Sequence, residues 1–191
     1  MSYASLREFV QALEARGDLK RVPFPVDPRL EMTELCQRSL RAGGPALWFE
    51  QPRGSDMPVL GNLFGTQQRV VAALGLDHVT QLREIGETLA FLREPHWPDR
   101  PREALGRLPA FLPLLKATPH TQPRPSVYET VQVGADVDLS CLPVWTCWPE
   151  DAGPLITWGL VVTHGTRKSR HNVAPYRQQV IGRNRVIMRW L

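Results

Sequence analysis

The sequence predicts an α+β chain, with an α/β domain at the N-terminus followed by the first part of a β-rich, barrel-like domain. Three observations predict it. Helical and strand periodicities alternate over residues 1–92, the pattern of an α/β domain. Prolines then crowd residues 93–126, where eight of the chain's 18 fall, so this stretch reads as a connector. From 127 onward, short alternating runs separated by turn residues read as strands. The expected domains are therefore 1–92, 93–126 and 127–191.

Leu6, Phe9, Val10 and Leu13 recur at helical spacing, with Ser5 as N-cap and Gly17 as the stop. LKRVPFPV (19–26) alternates as a strand, and Pro23 and Pro25 confine it to a sheet edge. A second helix is expected over 30–41, ended by Gly43-Gly44. ALWFE (46–50) and MPVLGNLF (57–64) read as strands joined by the turn-rich QPRGSD, and two helices follow over 67–74 and 78–92. A short helix around 103–117 interrupts the connector. The later strands are VYETVQV (127–133), LPVWTCW (142–148), LITWGLVVTHG (155–165) and a closing pair around Val180 and Val186-Ile187-Met188, turned by Gly182-Arg183-Asn184. GADVD (134–138) is a turn.

Composition limits the function. Hydrophobic residues make up 42% of the 191 and charged residues 22%, enough apolar material for a packed core and an ordinary soluble surface. No run approaches the roughly 18–20 apolar residues of a membrane span. MSYASLREFVQALEARG is amphipathic and carries acid as well as base, unlike a secretory signal, so a cytoplasmic protein is expected. Cys36, Cys141 and Cys147 form no CxxC pair, and their odd number argues against a disulfide framework. The net charge is +4, and the basic residues gather between Arg167 and Arg189 with no acid among them. That excess suits a phosphate-bearing cofactor, RNA or an anionic membrane surface.

There is no P-loop, GxGxxG, HExxH or GxSxG motif. The five histidines, at 78, 96, 120, 164 and 171, show no metal-ligand spacing. Asp136 and Asp138, and likewise Glu150 and Asp151, read as turn residues. The chemistry concentrates in HNVAPYRQQVIGRNRVIMRWL, where Asn172, Tyr176 and Arg177 offer an amide oxygen, a phenol and a guanidinium. On an extended strand residues 172 and 176 share a face and 177 points the other way, although Pro175 interrupts the pattern. An amide oxygen suits Mg²⁺ or Mn²⁺ when phosphate oxygens complete the shell, and a guanidinium suits phosphate or carboxylate. Arg189-Trp190 adds a guanidinium beside an aromatic plane. The competing reading is a solvated basic hairpin whose aromatics pack the core.

These residues also carry a resemblance. The run PLITWG, then VVT, then N-x-x-x-Y-R-Q-Q-V-I-G-R-N-R-V-I-M-R-W-L resembles the UbiD family of prenylated-FMN-dependent decarboxylases, and within it the 3-polyprenyl-4-hydroxybenzoate decarboxylases of ubiquinone biosynthesis. LREFVQALEARGDLKRV, LRAGGPALWFE, MPVLGNLFGT and TCWPEDAGPLITWG extend the likeness over essentially the whole chain. The family's chains are more than twice as long, so this sequence resembles their N-terminal part. The resemblance implies that 127–191 is the first part of a split-barrel-like, flavin-binding domain.

By the same resemblance, Asn172 holds a divalent metal, Mn²⁺, that bridges to the flavin phosphate, with K⁺ as a further candidate ion. Pro175, Tyr176, Arg177, Arg189, Trp190 and Leu191 line the prenylated-FMN site, and Thr157 faces the flavin ring. Arg177 matches the arginine of the family's catalytic network. The implied reaction is reversible, non-oxidative decarboxylation of an aromatic acid with a polyprenyl tail, using a cofactor supplied by a flavin prenyltransferase. A homo-oligomer for the full-length form, no nucleic-acid partner, and peripheral association with the inner face of the cell membrane are implied too. Where the family carries a glycine-containing apolar run before Tyr-Arg, this chain has Val173-Ala174-Pro175, so no backbone N–H is available at 175. The family's later glutamate, its catalytic acid and its oligomerisation domain match nothing in these residues, and the 191-residue chain is expected to be inactive alone. The alternative is a non-catalytic flavin-binding or interaction module; RNA binding through the basic ribbon is a third reading.

Overall fold

The computed structural model describes residues 3–94, 123, 128–165 and 171–189, with the backbone alone at Leu92. The helix expected over 103–117 lies outside the described residues, as does most of the proline-rich stretch. The elements in chain order are α1 (Leu6–Ala15), β1 (Leu19–Val22), α2 (Glu31–Arg41), β2 (Ala46–Phe49), β3 (Val59–Gly61), α3 (Gln67–Ala73), α4 (Gln81–Arg93), β4 (Leu155–Ile156), β5 (Leu160–His164), β6 (His171–Pro175), β7 (Gln178–Gly182) and β8 (Arg185–Met188). Helices and open sheets together give the α+β class, and no sheet closes into a barrel among the described residues. By compactness the chain divides into one unit of residues 1–2 and 71–131 and another of 3–70 and 132–191.

In the larger unit the first half forms as its sequence pattern requires. Ser5 Oγ accepts the Glu8 N–H at 3.3 Å and caps α1, and Gly17, at φ +74°, ends it. α1 buries Phe9, Val10 and Leu13, three of the four residues at helical spacing, while Leu6 at its first position is exposed. β1 is an edge strand, parallel to β2 through the α2 crossover, and β3 runs antiparallel on the far side of β2. Pro23 and Pro25 cut β1 back to four residues, leaving Val26 only an isolated bridge to Pro52. Val22, Val26, Met32, Cys36, Leu47 and Phe49 form the core between sheet and helix.

The β-rich residues pack onto this layer. Trp145 meets Phe49 edge-on, with centroids 6.4 Å apart. Gly61 has no room for a side chain, because a Cβ there would collide with Cys36 Sγ and crowd the Trp145 ring. Arg29 bridges Thr146, and Ser55 Oγ donates to the Cys141 carbonyl at 2.8 Å. Arg69 is 2% exposed, and its guanidinium donates to the carbonyls of Leu63, Gly44 and Asn62 at 3.2, 3.0 and 3.1 Å. It thus ties the start of α3 to the turn after α2.

Two expected strands do not form. In 142–148 only Thr146 bridges, and prolines at 143 and 149 remove the N–H groups a ladder needs. In 127–133 no described residue is in a strand, and Gly134–Asp136 and Leu139–Cys141 are single 3₁₀ turns. Asp138 accepts from the Ser140 hydroxyl and N–H and from Arg183 Nε, while Leu139 N–H reaches the Arg183 carbonyl at 2.7 Å. This anchors the tip of the β7–β8 hairpin.

In the smaller unit, α4 begins at Gln81 rather than 78, because Gln81 Oε1 accepts the N–H groups of Asp77 and His78 and shapes a turn there. Arg83 and Glu87 pair along its exposed face at 3.0 Å.

Candidate functional site

The stretch 155–165, expected as one strand, is two. Ile156 pairs with Gln178, and Leu160 pairs with Pro175. Three residues, 157–159, therefore oppose only two, 176 and 177. The two ladders belong to separate sheets and are offset by one residue where they adjoin, as at a bulge, which bends a strand and re-aims its side chains. The segment carrying Thr157 thus meets the segment carrying Tyr176 and Arg177. Tyr176 N–H closes the junction on the Gly159 carbonyl at 3.2 Å.

The adjoining sheet runs β4-β7-β8. Its last paired row at this end is Ile156, Gln178 and Met188. Next in sequence beyond that row, outside the ladder, come Thr157, Arg177 and Arg189. All three are exposed, and neither arginine forms an ion pair with a described residue. Two guanidiniums of one sign at the end of one ribbon make a local positive field suited to a dianion.

Asn172 lies on β6 opposite Thr163 of β5. Its Nδ2 donates to the Tyr176 phenol oxygen at 3.1 Å, so residues 172 and 176 do share a face. With Nδ2 so engaged, Oδ1 is the atom left to face a cation. Pro175 closes β6 opposite Leu160, and its missing N–H takes no part in the Tyr176–Gly159 contact. Trp158 lies 6.2 Å from the Phe64 ring, so the 157–159 segment sits beside an aromatic of the same compact unit. Trp190 and Leu191 lie outside the described residues.

Sequence reasoning missed the bulge and the Gly159 carbonyl. The available signal was a glycine inside a strand pattern, which marks bulges and close backbone approach. A cleft of about 570 Å³ lies elsewhere, lined by Asp27–Arg29, Arg53–Ser55 and residues between 140 and 154. None of the expected site residues lines it, and Asp151 there is occupied by the N–H groups of Cys147 and Trp148. Among the described residues no three His, Cys, Asp or Glu side chains gather for a metal ion, so a metal here would rest on the Asn172 oxygen and on ligand oxygens.

Comparison with known proteins gives two family profiles. The 3-octaprenyl-4-hydroxybenzoate carboxy-lyase N-terminal domain matches residues 10–89, and the 3-octaprenyl-4-hydroxybenzoate carboxy-lyase Rift-related domain matches 120–191. Among solved structures, the chain is similar to an evolved dimeric form of the UbiD-class enzyme HmfF from Pelotomaculum thermopropionicum in complex with prFMN, at 28% identity and TM-score 0.75. That match covers 99% of this chain and 39% of the other. The same enzyme in complex with FMN matches at 29% identity and TM-score 0.72, covering 97% and 36%. Vanillic acid decarboxylase from Sedimentibacter hydroxybenzoicus in closed form matches at 28% identity and TM-score 0.72, covering 100% of this chain and 38% of that one. The chain thus spans less than two-fifths of the length of these matched proteins.

Proposed function

The chain belongs to the UbiD family, and from that membership we propose that the whole protein is a prenylated-FMN-dependent carboxy-lyase acting on 4-hydroxy-3-polyprenylbenzoate in ubiquinone biosynthesis. What supports the proposal is the Asn172–Tyr176 hydrogen bond together with the end of the β4-β7-β8 ladder at Ile156, Gln178 and Met188, the residues that adjoin Thr157, Arg177 and Arg189 in sequence. These donors fit a phosphate-bearing flavin and its metal. The guanidiniums would hold phosphate or substrate carboxylate, and Asn172 Oδ1 would hold Mn²⁺ against the phosphate. No described residue is assigned to K⁺.

When bound, the flavin supplies the chemistry that breaks the carbon–carboxylate bond. The chain's own residues orient and hold charge. Arg177 would fix the substrate carboxylate and favour the ionised form of an acidic neighbour. A guanidinium keeps its proton, so Arg177 cannot protonate the product. Thr157, on the bulge, would set one wall of the flavin site. Among the described acids, Asp138 and Asp151 already bind Ser140, Arg183 and backbone N–H groups, so neither is assigned as proton donor. The 191 residues on their own are therefore proposed to retain flavin without turnover.

The substrate's polyprenyl tail supports peripheral association with the inner face of the cell membrane. Among the described residues no helix is long and apolar enough to cross a membrane. A prenyltransferase supplying the cofactor, and a homo-oligomer, belong to the same proposal.

Co-expression with a flavin prenyltransferase, followed by absorbance of the purified chain, tests the reading. Flavin should co-purify near one per chain and be lost with Arg177→Gln. Purification without flavin contradicts it. On the whole protein, CO₂ release from the polyprenylated acid in preference to vanillic acid would support the proposed substrate. The reverse order would overturn that assignment. Retained flavin with no CO₂ release from the whole protein on any aromatic acid would support a non-catalytic flavin-binding module instead.

A further inference from the structure

His164 and His171 are seven residues apart in sequence, yet they pair directly across β5 and β6. Their ring centroids lie 5.0 Å apart, with planes inclined by 49°. Both are exposed. Strand alternation puts them on one face with Leu160, Val162, Val173 and Pro175, none of which offers a donor or a charge. Thr163 and Asn172 belong to the opposite face.

We propose that these two imidazoles form a binding site for a borderline transition cation such as Zn²⁺, distinct from the Asn172 site and independent of the decarboxylase reading. Directly opposed residues hold their Cβ atoms about 4.5–5.5 Å apart, close enough for two rings to reach one ion at about 2.0–2.1 Å. The ligand set is nitrogen only, which selects Zn²⁺, Ni²⁺ or Cu²⁺ over the oxygen-seeking Mg²⁺ and Mn²⁺. Water completes the shell on this exposed face. The intervening sequence GTRKSR carries three cations and no acid, which lowers affinity for any metal ion. The site is therefore weak and open rather than a closed structural centre. It was invisible in the sequence because cross-strand register, not a short ligand spacing, brings the two rings together.

The test uses the 191-residue chain, free of any affinity tag, titrated with ZnCl₂ by calorimetry. One Zn²⁺ should bind per chain. His164→Ala and His171→Ala should each weaken it by at least roughly tenfold, the range that losing even an outer-shell partner costs a metal site. His78→Ala and Asn172→Ala should leave it unchanged. Substoichiometric Cu²⁺ added to the unmutated chain gives a second readout that needs no variant. The imidazole signals of His164 and His171 should broaden together, before those of His78. Absence of Zn²⁺ binding, binding that survives either histidine substitution, or broadening of one ring without the other would overturn the proposal.

Discussion

Asn172 donates its side-chain N–H to the phenol oxygen of Tyr176 across 3.1 Å, which leaves the amide oxygen as its acceptor atom. Tyr176 is held in turn by its own N–H on the Gly159 carbonyl. An amide oxygen on one strand is thereby fixed relative to the bulge that carries Thr157. Tyr176→Phe keeps the ring and removes the anchor. It should weaken flavin-dependent Mn²⁺ binding two- to tenfold, about 0.5–1.5 kcal/mol for one neutral hydrogen bond. Thermal unfolding should change little, since both side chains sit near the surface.

Arg177 and Arg189 adjoin in sequence the Gln178–Met188 pair, the last of the β7–β8 ladder at this end. Arg177→Gln should weaken FMN binding roughly 10- to 100-fold, the worth of a charge-assisted hydrogen bond. Arg177→Lys should recover only part of it, because an ammonium lacks the planar fork. The salt dependence of binding should flatten in either arginine variant to Gln. Equal affinities by fluorescence titration would remove Arg177 from the site.

Arg69 carries a positive charge 2% exposed, satisfied by three backbone carbonyls rather than a carboxylate. Burial pushes its pKa down, and Asp18 opposes that shift. Arg69→Met should cost about 2–5 kcal/mol in urea unfolding, because the carbonyls of Leu63, Gly44 and Asn62 lose their donors. A change under about 0.5 kcal/mol would show that water replaces the guanidinium there.

The fold of the first 92 residues was largely legible in the sequence, because its signals are local. Ser5, Gly17 and Gly43 stop and start helices through their own backbone geometry. The later half was less so. LPVWTCW has the composition of a strand, but its prolines and its packing against Phe49 and Gly61 make it a strap with one bridge. The likeness of 172 and 176 followed from strand period alone. The one-residue offset between the Ile156–Gln178 and Leu160–Pro175 pairs, where Thr157 and Arg177 lie, did not, because no local pattern encodes a register shift between two ladders. The same holds for Arg69, which nothing in its sequence neighbourhood distinguishes from a surface arginine.

Cys36 is buried against Gly61 and Trp145, and desolvation, with a smaller contribution from Cys147, raises its thiol from 9.0 to about 12. The folded state therefore holds this proton more tightly than the unfolded chain. Its contribution to stability is complete below about pH 9 and is lost as pH rises toward 12, with a slope of at most about 1.4 kcal/mol per pH unit. Urea midpoints measured from pH 8 to 11 should fall, and Cys36→Ala should flatten the fall. With a thiol reagent at pH 8, exposed Cys141 should react first and Cys36 only on unfolding.

Asn172, Tyr176, Thr157, Arg177 and Arg189 are proposed to form one flavin-phosphate and metal site. Paramagnetic broadening by Mn²⁺ in the amide spectrum of the chain, recorded with and without FMN, tests it most directly. With FMN present, broadening should centre on the Asn172 side-chain amide, reach residues 157, 176, 177 and 189, and disappear in Asn172→Ala. Broadening that is independent of FMN, or that centres on the cleft beside Arg29 and Arg53, would contradict the assignment.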